Sequence, residues 1–347
     1  MGKIFNRIFV DGMGGMTLGI FSTLILGTII GQIGSFINGQ IGEQLIALGT
    51  LLIGLTGAGI GCGVAVKLKE DALVVLSAAI AGMIGAYSDK ILAGGNISFH
   101  SNMNLIIAFL AAYVATEVGH FLSGRTKLDL IVIPIPSILL GGGAAILVTP
   151  FSAKAMSSIV DLIQWGTEQN HLIMGVVIAV IMGILSILPM HMAAFGIMIS
   201  LSGEAAGAAT IGCCASMVGF AVASFRENGV GGFLAQGFGS SVLQLPNVLR
   251  KPIIWIPTIL TSAILGPIGT IDWFHMVNNK IGAVMGSTGL IGQVMAYRTM
   301  IKTDEMLLVI IKIVALHLVL PGILAYGIAE FMRKNRWIKN GDMKIHV

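Results

Sequence analysis

Charged residues inside one glycine- and alanine-rich stretch, residues 200–233, are the first features that could do chemistry. Glu204 lies near its start, and Arg226, Glu227 and Asn228 lie near its end. Ionisable residues within apolar membrane segments are energetically costly and mark functional sites by default. The Glu204 carboxylate could accept hydrogen bonds from sugar hydroxyls, bind a proton or a cation, or serve in helix packing. The later group indicates either the tip of a re-entrant hairpin or an ordinary polar loop.

Further polar side chains could contact a solute. His191 follows Pro189 and could donate to a hydroxyl or titrate, or it could be a satisfied core histidine. The amide of Asn247 both donates and accepts hydrogen bonds, which suits a neutral polyol. Three more side chains lie in one interrupted segment and could line the same cavity as Glu204: Ser287, Thr288 and Gln293.

The elements that must position these residues are irregular. Residues 191–248 and 278–298 are apolar but are broken by polar and glycine-rich sequences. Short, glycine-interrupted segments point to the binding site of a transporter, because broken helices present backbone dipoles to a substrate. Irregular backbone at membrane depth must be covered by protein or face a cavity. We therefore predict that Glu204, residues 225–228 and residues 286–293 share one cavity.

The composition identifies the class of protein. The 347 residues are 55% hydrophobic and only 10% charged, whereas a soluble domain carries about 25% charged residues. Such a chain must contact membrane lipid over most of its surface. A net charge of +4 does not indicate nucleic-acid binding. The sequence contains no P-loop, no HExxH motif and no metal-ligand spacing of its three cysteines, so we expect no metal, no cofactor and no catalytic residue.

Apolar runs of about 20 residues predict the membrane-spanning helices. Basic clusters precede the first run and follow the second, fourth and last, which places both termini in the cytoplasm. The runs are 16–37, 44–66, 72–87, 103–122, 129–149, 171–190, 252–269 and 305–331.

We divide the chain into four parts. Residues 1–150 are expected to form a membrane scaffold that dimerises, since glycine spacings such as Gly57-x-x-x-Gly61 favour helix contacts within and between protomers. Residues 151–170 predict an interfacial amphipathic helix with Met156, Ile159, Val160, Ile163 and Trp165 on its apolar face. Residues 171–331 are expected to bind the substrate, and 332–347 to form a basic cytoplasmic tail.

Three segments carry a resemblance to a known family. They are SGEAAGAATIGCCASMVGFAVASFRENGVGGFLAQGFGSSVLQLPNV, IWIPTILTSAILGPIGT and GAVMGSTGLIGQV. The chain resembles the PfoR-type membrane proteins, which are grouped with the EIIC membrane subunits of the bacterial phosphotransferase system. The resemblance implies an all-α integral membrane protein of the bacterial inner membrane with about ten membrane segments, including re-entrant hairpins. It also implies a homodimer whose C-terminal half moves to carry the substrate.

The implied function is that of a sugar permease subunit. In this family a separate EIIB phosphocysteine domain phosphorylates the sugar, so separate EIIA and EIIB proteins are the implied partners. Other EIIC subunits use a glutamate in a Gly-Ile-Thr-Glu motif that this sequence lacks, so no catalytic residue is carried over. Two alternatives stay open: a proton-coupled secondary transporter that uses Glu204, and a membrane sensor that regulates gene expression.

The charge pattern gives a test of orientation. A cysteine introduced at Asn340 should resist a membrane-impermeant thiol reagent in intact cells and react after the cells are opened, because the basic cluster around it holds this end in the cytoplasm. Rapid labelling in intact cells would place this end outside.

Overall fold

The structure is a computed structural model and describes residues 5–94 and 103–345. In these residues the regular structure is helical, apart from one isolated antiparallel bridge between Gly203 and Asn278. Six helices are long and apolar enough to cross a membrane, or seven if one bent pair is counted as a span. Two further apolar helices are shorter, Ala72–Ala86 and His171–Leu185. The predicted all-α membrane fold is therefore confirmed.

Contacts divide the described chain into two compact units. One contains the residues up to Met156 together with Pro189–His191, and the other contains Ser157–Leu188 and Met192–Ile345. The first half of the chain supplies α1 (Asn6–Phe36), α2 (Gln40–Gly54), α3 (Thr56–Lys67), α4 (Ala72–Ala86), α5 (Leu105–Leu122) and α6 (Asp129–Thr167). The second half supplies α7 (His171–Leu185), α8 (Met192–Ile199), α9 (Gly203–Ala223), α10 (Phe225–Leu234), α11 (Pro252–Thr270), α12 (Gly282–Met285), α13 (Ile291–Met300) and α14 (Met306–Lys334).

The predicted span 44–66 is not one straight helix. It is α2 followed by α3, and the two are bent by 52° at Leu55. The hydroxyl of Tyr87 donates to the carbonyl of Gly54 at 3.1 Å, beside the bend. A main-chain group released from a helix in lipid needs such a partner. The bend is thus compensated by a side chain distant in sequence.

The predicted separate helix at 151–170 is also not observed. Helix α6 continues through Pro150 to Thr167, and the boundary between the compact units lies inside it. Proline inside a membrane helix is tolerated because neighbouring helices and Ser or Thr side chains compensate for the missing hydrogen bond. Of the predicted apolar face, Ile163 is buried, whereas Trp165 is exposed. A proline alone therefore did not mark an element boundary.

Charged side chains connect three elements of the N-terminal unit. Arg7 of α1 pairs with Glu117 of α5 at 2.7 Å and with Glu70, after α3, at 3.1 Å. His120, one turn after Glu117, pairs with Glu70 at 2.8 Å. A network that shares its partners in this way compensates each charge more fully than an isolated surface pair would.

The glycines of the N-terminal unit allow backbone-to-backbone packing. A Cβ atom on Gly15 would lie 2.2 Å from the carbonyl oxygen of Gly63, and one on Gly61 would lie 2.1 Å from that of Ala78. The Gly57-x-x-x-Gly61 spacing is therefore used between α3 and α4 within one chain. Small residues at such contacts let membrane helices approach closely.

The pair Gly14 and Gly15 tests this packing. Gly15→Ala should destabilise the protein by about 1–3 kcal/mol through overpacking against α3. Gly14→Ala is the matched control, because a Cβ there meets no atom within 4 Å. Thermal unfolding in detergent should show a lower Tm for Gly15→Ala alone. Equal Tm values for both variants would contradict the observed contact.

Helix α9 forms the centre of the C-terminal unit. Every residue from 205 to 221 is buried, and α7, α11 and α14 pack around the helix. The small residues of this helix are therefore covered by the surrounding helices and do not face lipid. Charged groups are found only where this helix begins and beyond where it ends.

Candidate functional site

The charged residues singled out in the sequence lie at opposite ends of α9. Glu204 is in the first turn of this 21-residue helix, and Arg226, Glu227 and Asn228 follow its last residue. A helix of that length spans about 30 Å at 1.5 Å per residue. The prediction of one cavity shared by Glu204 and residues 225–228 is therefore wrong. Glu204 and residues 225–228 are separated by the length of one continuous helix. The sequence had been interpreted as a broken segment at this place, which would have let the two groups meet.

Glu204 lies in a polar cavity with two histidines. Its carboxylate accepts a close hydrogen bond from Nδ1 of His171 and lies 3.2 Å from Nδ1 of His275. The cavity has a volume of about 670 Å³. Its lining includes the amides Gln164 and Gln169, the hydroxyls of Thr167, Ser200 and Ser202, and the apolar side chains Met174, Ile199, Leu201 and Val277.

Local backbone geometry brings these groups together. Gly203 has φ +64°, a conformation that favours glycine, and it exchanges two main-chain hydrogen bonds with Asn278 at 3.0 and 3.1 Å. This bridge holds His275 beside the start of α9. The hydroxyl of Thr270 donates to the carbonyl of His171 at 2.9 Å and fixes the start of α7. Three segments distant in sequence thus converge on one carboxylate.

The arrangement suits exchange of hydrogen-bond partners. The side chain of Glu204 is 19% exposed, and those of His171 and His275 are 73% and 52% exposed. An acidic group in the first helical turn is favoured by the helix dipole. The second nitrogen of each imidazole remains a possible donor or acceptor for a solute. Among the described residues, no His, Cys, Asp and Glu side chains are grouped so as to hold a metal ion.

The second predicted group has protein partners. Arg226 pairs with Glu330 at 3.1 Å and donates to the hydroxyl of Tyr326 at 3.0 Å. Glu227 pairs with Arg333 at 3.2 Å, and both side chains are more than nine-tenths buried. Of the residues predicted from the sequence, Glu227, Asn228 and Asn247 bond the main chain of residues 343–345. These residues bind the carboxyl-terminal segment, so the basic tail predicted at 332–347 is folded back onto the unit as far as Ile345.

The two broken segments meet at a buried junction. The hydroxyl of Ser287 donates to the carbonyl of Gly237 at 2.5 Å, and that of Thr288 donates to the carbonyl of Gly239 at 2.9 Å. Gln293 donates to the sulfur of Cys214 at 3.3 Å, in the middle of α9. Its Oε1 has no partner among the described residues. The junction is therefore a third location, distinct from both ends of α9.

His191 belongs to the compact unit that contains the N-terminal half, so its role in solute binding stays a prediction. Sequence reasoning missed His171 and His275. The signal that could have found them was weak: each is a histidine at the edge of an apolar run, where an interfacial position is equally expected.

The long apolar helices, the broken helices and the polar cavity together define a polytopic membrane protein of the transporter class. The family model described as "Phosphotransferase system, EIIC" matches residues 10–345. The chain therefore belongs to the EIIC family of phosphotransferase membrane subunits. A comparison with curated proteins found no match. Membership of this family implies a transported substrate and separate EIIA and EIIB partners.

Proposed function

We propose that this protein is the sugar permease subunit of a phosphoenolpyruvate-dependent phosphotransferase system, and that it binds a small polyhydroxylated solute in the Glu204 cavity. The observation that supports this most is the carboxylate with two partly exposed histidines in a cavity of about 670 Å³. Ligand pockets commonly have volumes of about 300–1,000 Å³. Translocation then follows by alternating access.

The chemistry of the lining favours a neutral, hydroxyl-rich ligand. A carboxylate accepts hydrogen bonds from two adjacent hydroxyls, and the amides of Gln164 and Gln169 both donate and accept. The one carboxyl group in the lining, that of Glu204, already contacts two imidazoles. A ligand with its own charge would leave that charge without a matched partner.

Phosphorylation of the solute is assigned to the partner proteins. A phosphocysteine needs an exposed, electropositive environment, whereas Cys213 and Cys214 are fully buried in α9. The third cysteine, Cys62, lies within α3. Phosphoryl transfer therefore depends on EIIA and EIIB, and this chain supplies the membrane path.

A proton-coupled transporter is the second candidate. The contact of one carboxylate with two histidines favours it, because histidine is a common proton carrier in proteins and both rings lie within reach of the carboxylate. The two functions predict different energy sources, so one uptake assay can separate them.

The decisive experiment is uptake of labelled sugars into vesicles containing this protein. Uptake should require phosphoenolpyruvate together with the EIIA and EIIB proteins, and it should yield a phosphorylated product. Uptake driven by a proton gradient alone would favour the second candidate. No uptake under either condition, with solute binding retained, would favour a sensor.

Glu204→Gln should weaken solute binding about tenfold to a hundredfold, because losing a hydrogen bond to a charged group corresponds to about 1.5–3 kcal/mol. His171→Gln and His275→Gln should weaken binding less. Glu305→Gln is the control, since this exposed glutamate lies at the start of α14 and outside the cavity lining. Unchanged affinity of the folded Glu204→Gln protein would place the solute elsewhere.

We further propose a homodimer with its interface in residues 1–150. In the described chain α6 is the least buried candidate span, with 28% of its most apolar part buried. Ile135, Leu139, Leu147 and Phe151 of this helix are all exposed. Leu147→Cys in a background without native cysteines should form a disulfide-linked dimer in membranes. A detergent-solubilised particle that is monomeric at all concentrations would contradict the proposal.

A further inference from the structure

The carboxyl-terminal segment lies in a binding site formed by residues 225–251. After α14 the chain turns back, and Met343 is fully buried. Asp342 forms an ion pair with Lys251 at one end of the contact. Residues 343–345 then lie along the polar side chains of the residues that come after α9 in the sequence. This contact is separate from the Glu204 cavity and has no part in the proposed solute site.

The site recognises main-chain groups. Glu227 accepts from the N–H of Met343 at 2.9 Å, and the amide of Gln244 donates to the carbonyl of the same residue at 2.9 Å. The amide of Asn228 donates to that carbonyl at 2.9 Å and accepts from the N–H of Ile345 at 2.8 Å. Such two-sided bonding by one amide reproduces the pairing of a neighbouring strand, which is how extended peptides are bound.

The side chains of this site are positioned by the rest of the unit. Glu227 is 7% exposed and Arg333 is 9% exposed, and the guanidinium of Arg333 also donates to the carbonyl of Ala223 at 2.8 Å. Asn247 donates to Gln244 at 2.8 Å and to the carbonyl of Lys344 at 3.0 Å. Buried polar groups that lack partners are costly. Without the segment, at least the carboxylate and the amides would lose main-chain partners.

The same hydrogen bonds lead to the junction of the broken segments. Gln244 donates to Gln236 at 2.9 Å, and Gln236 donates to Ser224 at 2.9 Å. All three of these side chains are fully buried. The next residue, Gly237, accepts the hydrogen bond of Ser287. Side-chain hydrogen bonds therefore run from the main chain at Met343 to Gln236, whose chain neighbour Gly237 takes part in the contact between the two broken segments.

We propose that residues 225–251 form a peptide-binding site whose ligand is this chain's own segment Asp342–Ile345, and that its occupancy keeps the junction at Gly237 and Ser287 closed. The ligand class is an extended peptide with an unbranched apolar side chain at the position of Met343. Specificity comes from the burial of that side chain and from the Asp342–Lys251 pair. Release of the segment removes the partners of Glu227, Asn228 and Gln244 and loosens the junction.

A buried native cysteine reports on the junction. Cys214 is fully buried and accepts from Gln293 of the second broken segment. With Cys62→Ala and Cys213→Ala, it is the one remaining thiol. In detergent-solubilised protein, its reaction with a maleimide should be slow when the segment is bound. Met343→Glu, or deletion of residues 342–347, should accelerate the reaction at least tenfold.

Two additions keep this test decisive. Lys344→Ala is the matched control, since its side chain is exposed and only its carbonyl contacts the site, so the rate should stay slow. A synthetic peptide of residues 339–347, added to the deleted protein, should restore the slow rate, which a misfolded protein would not show. An unchanged rate after deletion, or an accelerated rate that the peptide does not reverse, would overturn the proposal.

Discussion

A backbone that leaves the helical conformation inside a membrane must find partners for its N–H and C=O groups within the protein. The second broken segment meets this requirement with its own polar side chains. Asn278 donates to the carbonyl of Gly292 at 3.0 Å, and Asn279 accepts from the N–H groups of Ile281 and Gly282. The hydroxyls of Ser287 and Thr288 donate hydrogen bonds to main-chain carbonyls of the other broken segment. Residues that look like solute ligands in the sequence are thus already bonded to the backbone.

The same distinction separates the two glutamates near the ends of α9. Glu227 is compensated by Arg333 and by a main-chain N–H, and removing one partner of such a buried pair is strongly destabilising. Glu204 faces an open cavity and is opposed by two histidines that are themselves largely exposed. Under the proposed function, Glu204 and not Glu227 exchanges a protein partner for a solute, because its histidine partners are exposed to the cavity. A charged residue within an apolar segment therefore marks a position that has a particular role, but the charge alone does not tell whether that role is structural or functional.

The sequence predicted the fold class because long apolar runs have one physical solution in lipid. The last run, 305–331, corresponds closely to α14, and the first, 16–37, to the later part of α1. The continuation of α6 through Pro150 and the bend at Leu55 depend on tertiary partners, such as the hydroxyl of Tyr87. Glu204 was identified from its cost in an apolar segment, but His275 reaches it through the Gly203–Asn278 bridge, and His171 is held beside it by the hydrogen bond from Thr270. The burial of Met343 could not be predicted, because no periodic pattern of apolar residues in the sequence indicates it.

The small residues of α9 explain why charged groups lie only at its ends. A Cβ on Gly207 would lie 1.9 Å from the carbonyl oxygen of Met276, and one on Gly212 would lie 2.0 Å from that of Ala179. Main chain from different elements therefore contacts this helix directly, and at these contacts no space is left for a charged side chain or a solute. A helix packed so closely behaves as a rigid spacer, because close-packed interiors do not deform continuously. The broken segments lie beside α9, where Asn278 bonds Thr210 and Gln293 bonds Cys214, so they offer a path between the Glu204 cavity and the segment bound at Glu227 that does not require α9 to deform.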